Sequence, residues 1–387
     1  MLKKPLCIKI AGDFVVSNNE FTKYQISEEV VDLFGNSDIN ILNLECPVTD
    51  AVSAFKITKT GPHIKGNPDI IGEVLKYLRI DLVTLANNHI LDFGEKGLRE
   101  TLYYCDKYKI KYVGAGMNLT GAKSTFRKEI NGHKISIINF AENEWASASL
   151  DRSGANPMDL IDNLRDIQEE RKHSDFVIVI VHGGHEYYNL PSPRMQKQYR
   201  FYAENGASIV VGHHPHCISG SEIYKDVPIY YSLGNFLFTK PSQYDDWYKG
   251  LVLEINISQQ GKMSVQSHYV QQSMENYSLT LIPNGGDDPI FSRVAMFDKA
   301  ISNEAEISSL WNDYVKQRSK TYLTYFSPIA FIKNRYIKAL LRKFKLRYID
   351  DYDMSYKLNL LRCEAHSDLS KAVITQYLES QTKRSNN

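Results

Sequence analysis

The chain has 387 residues, with 46 Lys and Arg against 45 Asp and Glu for a formal net charge of +1; 43% of residues are hydrophobic and 24% charged. That size and mixture suit one large globular domain with an appendage, or two domains, and exclude a chain too polar to bury a core. Near-neutral charge argues against wholesale nucleic-acid binding, and no stretch reaches the ~18 apolar residues of a membrane-spanning helix. Cys7, Cys46, Cys105, Cys217 and Cys363 are scattered, odd in number and form no Cys-x-x-Cys pair. They read as reduced, mostly buried thiols of a cytoplasmic protein.

In chain order, Lys3 and Lys4 imitate the start of a signal peptide. Leu6 to Ala11 is too short for its apolar segment and contains Lys9, so a first strand is expected there, ending at Gly12-Asp13. A helix is predicted over 21–34, and a second strand over 39–44 that ends on Glu45. A loop rich in lysine and glycine covers 51–68, a helix 69–78, and a short strand 82–85 that opens onto Asn87-Asn88-His89. A helix over 95–108 and a strand over 111–113 close this half. The second half repeats the plan: strand 134–140, polar loop 141–157, helix 159–172 and an apolar strand 176–181 ending at His182. Helix 193–205 follows, then strand 208–211, strand 229–233, and two alternating segments, 250–257 and 263–270, that pair as a hairpin. This alternation predicts an α/β layered core ending in a β-hairpin over about residues 5–275. The Gly/Asp-rich stretch 284–289 marks a boundary, and a helical, basic C-terminal region is expected over about 290–380. Residues 314–349 contain no acid at all.

The chemistry gathers at strand ends. The run Ile209 to His216 enters Gly212 and then places His213, His214 and His216 around Pro215. Open α/β sheets keep their sites at the carboxyl ends of strands. Pro215 biases His214 toward an extended backbone, in which His214 and His216 point the same way and His213 turns aside. With Asp13, Glu45, Asn88 and His182, these residues offer the mixed oxygen and imidazole set of a two-metal hydrolytic site. A carboxylate is the natural bridge between the ions. Such donors suit manganese, iron or zinc, one ion or two. His89 is the candidate general acid, with Asp92 three residues on to orient it. His185 and Glu186 lie in a turn after Gly183-Gly184, where substrate or metal is within their reach. Each residue also has a structural alternative: Asp13 as a helix N-cap, Asn88 as a turn residue, His89 as a satisfied core partner of Asp92, and the histidines as a solvated turn.

These residues carry a resemblance. The segments Gly12-Asp13, Asn43-Leu44-Glu45, Leu85 to Gly94, Gly114-Ala115-Gly116, His182 to Tyr187, Gly212 to His216 and Ser232-Leu233-Gly234-Asn235-Phe236 resemble, in order, those of the CapA family of bacterial poly-γ-glutamate and capsule biosynthesis proteins. The resemblance spans about residues 6–270. It implies a calcineurin-like metallophosphatase fold, with Asp13 as the first metal-binding aspartate and Glu45 in the place of the bridging aspartate. It further implies that Asn88-His89 stands for the Asn-His pair, His182 for the lone histidine and His214-Pro215-His216 for the final His-x-His, with Asn235 in the substrate-facing Gly-Asn turn. Two departures are visible. Metallophosphatases carry a histidine two residues beyond the first aspartate, where this chain has Val15, and Glu45 is one methylene longer than aspartate.

The expected function is a metal-dependent hydrolase or transferase acting on a phosphoester or a γ-linked amide in a surface-polymer pathway. The alternative is a non-catalytic accessory protein of a synthesis or export complex, with nucleic-acid phosphoesterase chemistry disfavoured. Finally, Ile332, Tyr336, Ile337, Leu340, Leu341 and Phe344 recur on one helical face within 331–348, surrounded by Lys333, Arg335, Lys338, Arg342, Lys343, Lys345 and Arg347. Two readings stand for that segment. One is a docked C-terminal helix; the other is a peripheral contact with the inner face of a membrane, to which each basic residue contributes about 1 kcal/mol.

Overall fold

Aliphatic runs with period-two alternation become the strands of two sheets in the computed structural model, which describes residues 3–57, 59, 61–326, 336 and 351–385. The first half supplies β1 (Leu6–Val15), α1 (Glu28–Gly35), β2 (Ile39–Leu44), α2 (Pro68–Tyr77), β3 (Leu82–Thr84), α3 (Gly94–Tyr108) and β4 (Lys111–Val113). Then come β5 (Ala115–Gly116), α4 (Leu119–Ala122), β6 (Phe126–Ile130), β7 (His133–Ala141), β8 (Gly154–Ala155), α5 (Leu160–His173), β9 (Phe176–His182), α6 (Pro193–Glu204) and β10 (Ile209–His213). The chain continues through β11 (Ser221–Tyr224), β12 (Val227–Tyr230), β13 (Asn235–Phe238), β14 (Lys249–Ile257), β15 (Met263–Gln272), β16 (Leu279–Ile282) and α7 (Pro289–Ile301). One sheet runs β16-β15-β14-β1-β2-β3-β4, with β13 also pairing β1; the other runs β11-β12-β10-β9-β7-β6, and β5 with β8 forms a small ribbon.

The alternation decides how the sheets stack. Ile8 and Ile10, Ile39 and Ile41, Ile178 and Ile180, and Ile209 and Val211 all belong to one buried cluster, so the two sheets pack face to face. The opposite face of the first sheet, with Leu42, Leu44 and Val83, packs against Val30 and Phe34 of α1, Ile71 and Val74 of α2 and Leu98 of α3. Each such side chain contributes about 1.5–3 kcal/mol on burial. The fold is a layered α/β arrangement, with β1, β2, β9 and β10 parallel to their central neighbours and ending on the same edge.

One irregularity matters for chemistry. The pairing of β1 with β2 slips between Ala11 and Asp13, so that Asp13 lies opposite Asn43 rather than opposite its neighbour. The bulge turns Asp13 to the side that Ile39, Ile41 and Asn43 share, the side facing the second sheet. Gly12 is required there, because a Cβ would stand 2.2 Å from the Gly234 carbonyl oxygen.

The helix predicted over 21–34 is shorter than expected. Residues 23–25 form a 3-10 turn, and Ile26 and Ser27 break off to pair with Leu279, leaving α1 to begin at Glu28. Strands β6, β11, β13 and β16 were not anticipated, since each is only four or five residues long; β13 is in addition held by β1, distant in sequence. The first compact unit runs to Glu304, beyond the boundary placed by composition at 284–289. It keeps α7 because Ile290 and Val294 enter the inter-sheet cluster and Asp298 accepts from the Ser221 backbone.

The second unit comprises 58–62 and 305–387. Its described part is helical: α8 (Glu304–Phe326), α9 (Asp351–Arg362) and α10 (Glu364–Ser385). Leu360, Cys363, Leu369 and Val373 are buried, and the Tyr322 hydroxyl lies 3.0 Å from His366 Nδ1. The amphipathic segment 331–348 lies outside the described residues apart from Tyr336, which is exposed. Among the described residues no helix is long and apolar enough to cross a membrane.

Candidate metal centre

Strand parity delivers the ligands. His182 continues the row Ile178-Ile180 on β9, and His213 continues the row Ile209-Val211 on β10, in register with His182. Both rows face the first sheet, where the bulge has turned Asp13 and where Asn43 ends the row Ile39-Ile41. Asn43 Nδ2 donates to Asp13 Oδ1 at 2.7 Å and lies 3.1 Å from His182 Nδ1, while its own oxygen accepts from Thr84.

His213 is therefore not turned aside, as its place before Pro215 had suggested. Its Nδ1 stands 3.1 Å from Asp13 Oδ1, and the ring is almost fully buried. Nor is His214 extended: its φ is +97°, and that of His216 is +55°. The His214 N–H donates to Asp13 Oδ2 at 3.1 Å, a tertiary bond that pins the uncommon backbone. His214 and His216 still reach the same site, by two left-handed kinks on either side of Pro215 instead of an extended strand.

Two overlapping groups of ion-holding side chains result. Glu45, His182 and His214 form one, Asp13, Glu45 and His216 the other, with candidate ligand atoms in each group within 4.8 Å of one another. His182 Nε2 lies 3.4 Å from Glu45 Oε1 and 3.2 Å from Asn88 Oδ1. His216 lies 3.5 Å from Asp13 Oδ2 through Nδ1 and 3.7 Å from Glu45 Oε1 through Nε2. Two atoms bound to one ion at ~2.0–2.3 Å stand about 3.0–3.7 Å apart, so these spacings suit a shared ion better than direct hydrogen bonds.

Glu45 is the test of fit. It is completely buried, and among the described residues no donor makes a hydrogen bond to either carboxylate oxygen. A buried carboxylate is costly without a partner, and burial pushes its carboxyl well above the usual range despite the opposing charge of His216. Burial also pushes Asp13 up, but His213 and His216 outweigh it and hold Asp13 well below the usual carboxylate range. His182 is lowered by burial and by the neighbouring His214. His214 is lowered to about 4, chiefly by burial. His216 is raised to about 10 because Glu45 and Asp13 overcome its burial. Once an ion displaces the proton of His216, three imidazoles, two carboxylates and an amide oxygen fit one or two divalent cations.

The remaining expected residues fall at different depths. His89 Nδ1 lies 2.8 Å from Asp92 Oδ2, and the same carboxylate oxygen accepts from Ile64 N at 2.7 Å. Asp92 thus fixes the ring of His89 beside Asn88. Glu186 is exposed and joins His214 and His216 in a third candidate group at the rim. His185 is buried and enters none of the ion-holding groups found among the described residues. Asn235, expected to face substrate, has both ends of its amide engaged. Its oxygen lies 2.9 Å from His216 Nδ1 and its nitrogen donates to the Trp247 carbonyl, so it orients His216. Val15 is fully buried in an apolar cluster and offers no ligand.

Sequence reasoning missed Asn43 and His213, although the row parity of β2 and β10 pointed at both. It also missed Glu142 and Glu144 in the loop after β7. Glu142 accepts from Gly184 N and Arg194, while Glu144 lies 3.9 Å from His214 Nε2.

A family model described as "Bacterial capsule synthesis protein PGA_cap" matches residues 10–240. The "PGA biosynthesis protein CapA" of Bacillus subtilis is 35% identical over 216 residues, covering 55% of this chain and 56% of the relative. The "Capsule biosynthesis protein CapA" of Bacillus anthracis is 29% identical over 246 residues, 60% of each. A "Probable polyglutamine synthesis accessory protein" of Mycobacterium tuberculosis is 30% identical over 213 residues, 51% of this chain and 55% of the relative. The matched part thus spans less than two thirds of these relatives' own length. Among solved structures, a putative 5'-nucleotidase from Staphylococcus aureus aligns at 12% identity and a TM-score of 0.45, over 77% of this chain and 58% of that one. A phosphatase from Mycoplasma pneumoniae aligns at 13% identity and 0.43, over 71% and 96%. With the family model matched across most of the metal-centre unit, the chain belongs to the CapA-type family of bacterial capsule synthesis proteins.

Proposed function

We propose that the chain is a metal-dependent hydrolase or transferase that acts on a phosphoester or γ-linked amide during synthesis of a bacterial surface polymer, capsule or poly-γ-glutamate. The observation that carries this reading is Glu45, a buried carboxylate with no hydrogen-bond donor, shared by two groups of imidazole and carboxylate ligands. The relatives named for capsule and PGA biosynthesis support the pathway.

Asp13, Glu45 and His216 would hold one divalent ion, and Glu45, Asn88, His182 and His214 the other; manganese, iron and zinc all suit the donors. When bound, such ions supply Lewis-acid polarisation and an activated nucleophile at neutral pH. Asn43 and His213 hold Asp13 in place from the side, and Asn235 sets the ring of His216. His89, locked by Asp92, delivers a proton to the leaving atom. Glu186 at the rim meets the substrate side.

A non-catalytic accessory role is the second reading. It is favoured by Val15, whose apolar burial leaves the Asp13 group one ligand short of the metallophosphatase set. A cytoplasmic location, with a peripheral membrane contact through 331–348, belongs to the same proposal. Metal analysis of protein purified without chelator, with activity on a panel of phosphoesters and γ-glutamyl amides, tests it. Metal-dependent turnover abolished by loss of His89 is the expected result. A metal-loaded protein inert on the whole panel would favour the accessory reading.

A further inference from the structure

Beyond the ion-holding residues, a ladder of aromatic rings leads outward from His216. Trp247 stands 4.8 Å from the His216 ring, centroid to centroid, and Tyr187 stands 6.2 Å from Trp247. Tyr244 stacks on Tyr187 at 4.2 Å and 20°, and the residue is 39% exposed. These two tyrosines line a cavity of about 280 Å³ together with Asp245, Asp246 and Arg293. Tyr187 holds a left-handed backbone, φ +62°, uncommon for a bulky residue, and its N–H donates to the Pro215 carbonyl at 2.8 Å. Such backbones gather at ligand clamps. Here the kink aims an aromatic ring beside the histidine motif.

We infer that this cavity is a subsite for a neutral pyranose ring, placing a sugar beside the phosphoester at the metal centre; the inference rests on the hydrolase reading for the phosphoester part alone. The size is right for one monosaccharide, since it lies just under the ~300–1,000 Å³ of pockets for larger small molecules. The chemistry is right as well. Tyrosine faces present π surface to the C–H face of a sugar. Arg293 makes a bidentate pair with Asp246, 2.6 and 2.7 Å, which also accepts from Asn189, so the floor offers donors and acceptors side by side. An ammonium group would meet the Arg293 guanidinium in the same wall. A polyanion would meet Asp245 and Asp246 against one already paired arginine. A polyol meets neither penalty.

The test is saturation-transfer NMR on the full chain, using methyl α-glucopyranoside as the neutral probe, γ-glutamyl trimer as the anion and methylammonium as the cation. The pyranoside is expected to receive saturation selectively. Tyr244→Ala should weaken its binding about five- to tenfold, the scale of one aromatic contact, while Tyr244→Phe retains it. Melting temperature and metal content monitor the fold of each variant, with Tyr244→Leu standing in if the alanine variant does not fold. Absence of pyranoside binding, preference for either charged probe, or binding unaffected at Tyr244 would overturn the subsite. Hydrolysis of p-nitrophenyl phosphate by the wild-type protein reads the metal centre separately. Hydrolysis without pyranoside binding overturns the subsite alone, and Tyr244-dependent binding without hydrolysis supports the subsite while counting against the phosphoester reading of the metal centre.

Discussion

Replacing Glu45 with Gln separates an ion-bridging carboxylate from a structural one, because the two roles predict opposite behaviour with and without metal. In the ion-free protein the carboxyl is fully buried, has no hydrogen-bond donor and is pushed well above its usual range. Glutamine is nearly isosteric with the protonated carboxyl, so the exchange changes little where the carboxyl carries its proton. Glu45→Gln in chelator should therefore melt within about 1 kcal/mol of the wild type, or above it, an unmatched buried polar group costing roughly 1–3 kcal/mol in either protein. With metal the order reverses. An ion at 1,000 times its Kd stabilises by about 4 kcal/mol, which at ~2 °C per kcal/mol for a domain of this size is a rise of about 8 °C. The variant should lose most of that rise, since both ligand groups share Glu45. Scanning calorimetry with EDTA and then with manganese makes the measurement. A variant destabilised by ~3 kcal/mol or more in EDTA, yet still stabilised fully by metal, would refute the reasoning and make Glu45 half of a buried structural pair.

His89→Gln keeps a donor for Asp92 and should retain metal and fold while losing about 10²–10⁴ in turnover, measured by steady-state kinetics beside metal analysis. Gly12→Ala drives a Cβ to 2.2 Å from the Gly234 oxygen; it should cost about 1–3 kcal/mol in denaturant melts and lower metal content by displacing Asp13. Glu170 is pushed up by burial but held below the usual range by Arg127 at 2.8 Å and Ser136 at 2.7 Å. A depressed folded pKa gives stability that is present above the unfolded value of ~4.3 and lost as pH falls through the folded value. Glu170→Gln should thus cost about 1–3 kcal/mol at pH 7, and the gap from wild type should narrow in urea melts below pH ~4.

Asp13, Glu45, Asn88, His182, His214 and His216 were legible in the sequence for a physical reason. Each follows a short apolar run, and parallel strands deliver their carboxyl ends to one edge. The layered α/β core was legible from the same alternation. What hid was geometry set by contacts distant in sequence. The bulge that reorients Asp13 depends on β2 and β13, whose partner residues lie 30 and 222 positions away from it. The left-handed His214 depends on a bond to Asp13, so Pro215 alone pointed to the wrong backbone and wrongly set His213 aside. Helix α7 looked like part of the C-terminal region by composition, yet Ile290 and Val294 are buried against the sheets.

The most direct test is a crystal structure of the manganese-loaded protein with anomalous data collected at the metal edge. The account predicts an anomalous peak about 2.0–2.3 Å from imidazole nitrogens of His182 and His214, with any second peak between Asp13 and His216, and Glu45 in contact with both. Strong peaks elsewhere, or none at this cluster in protein saturated with metal, would contradict it.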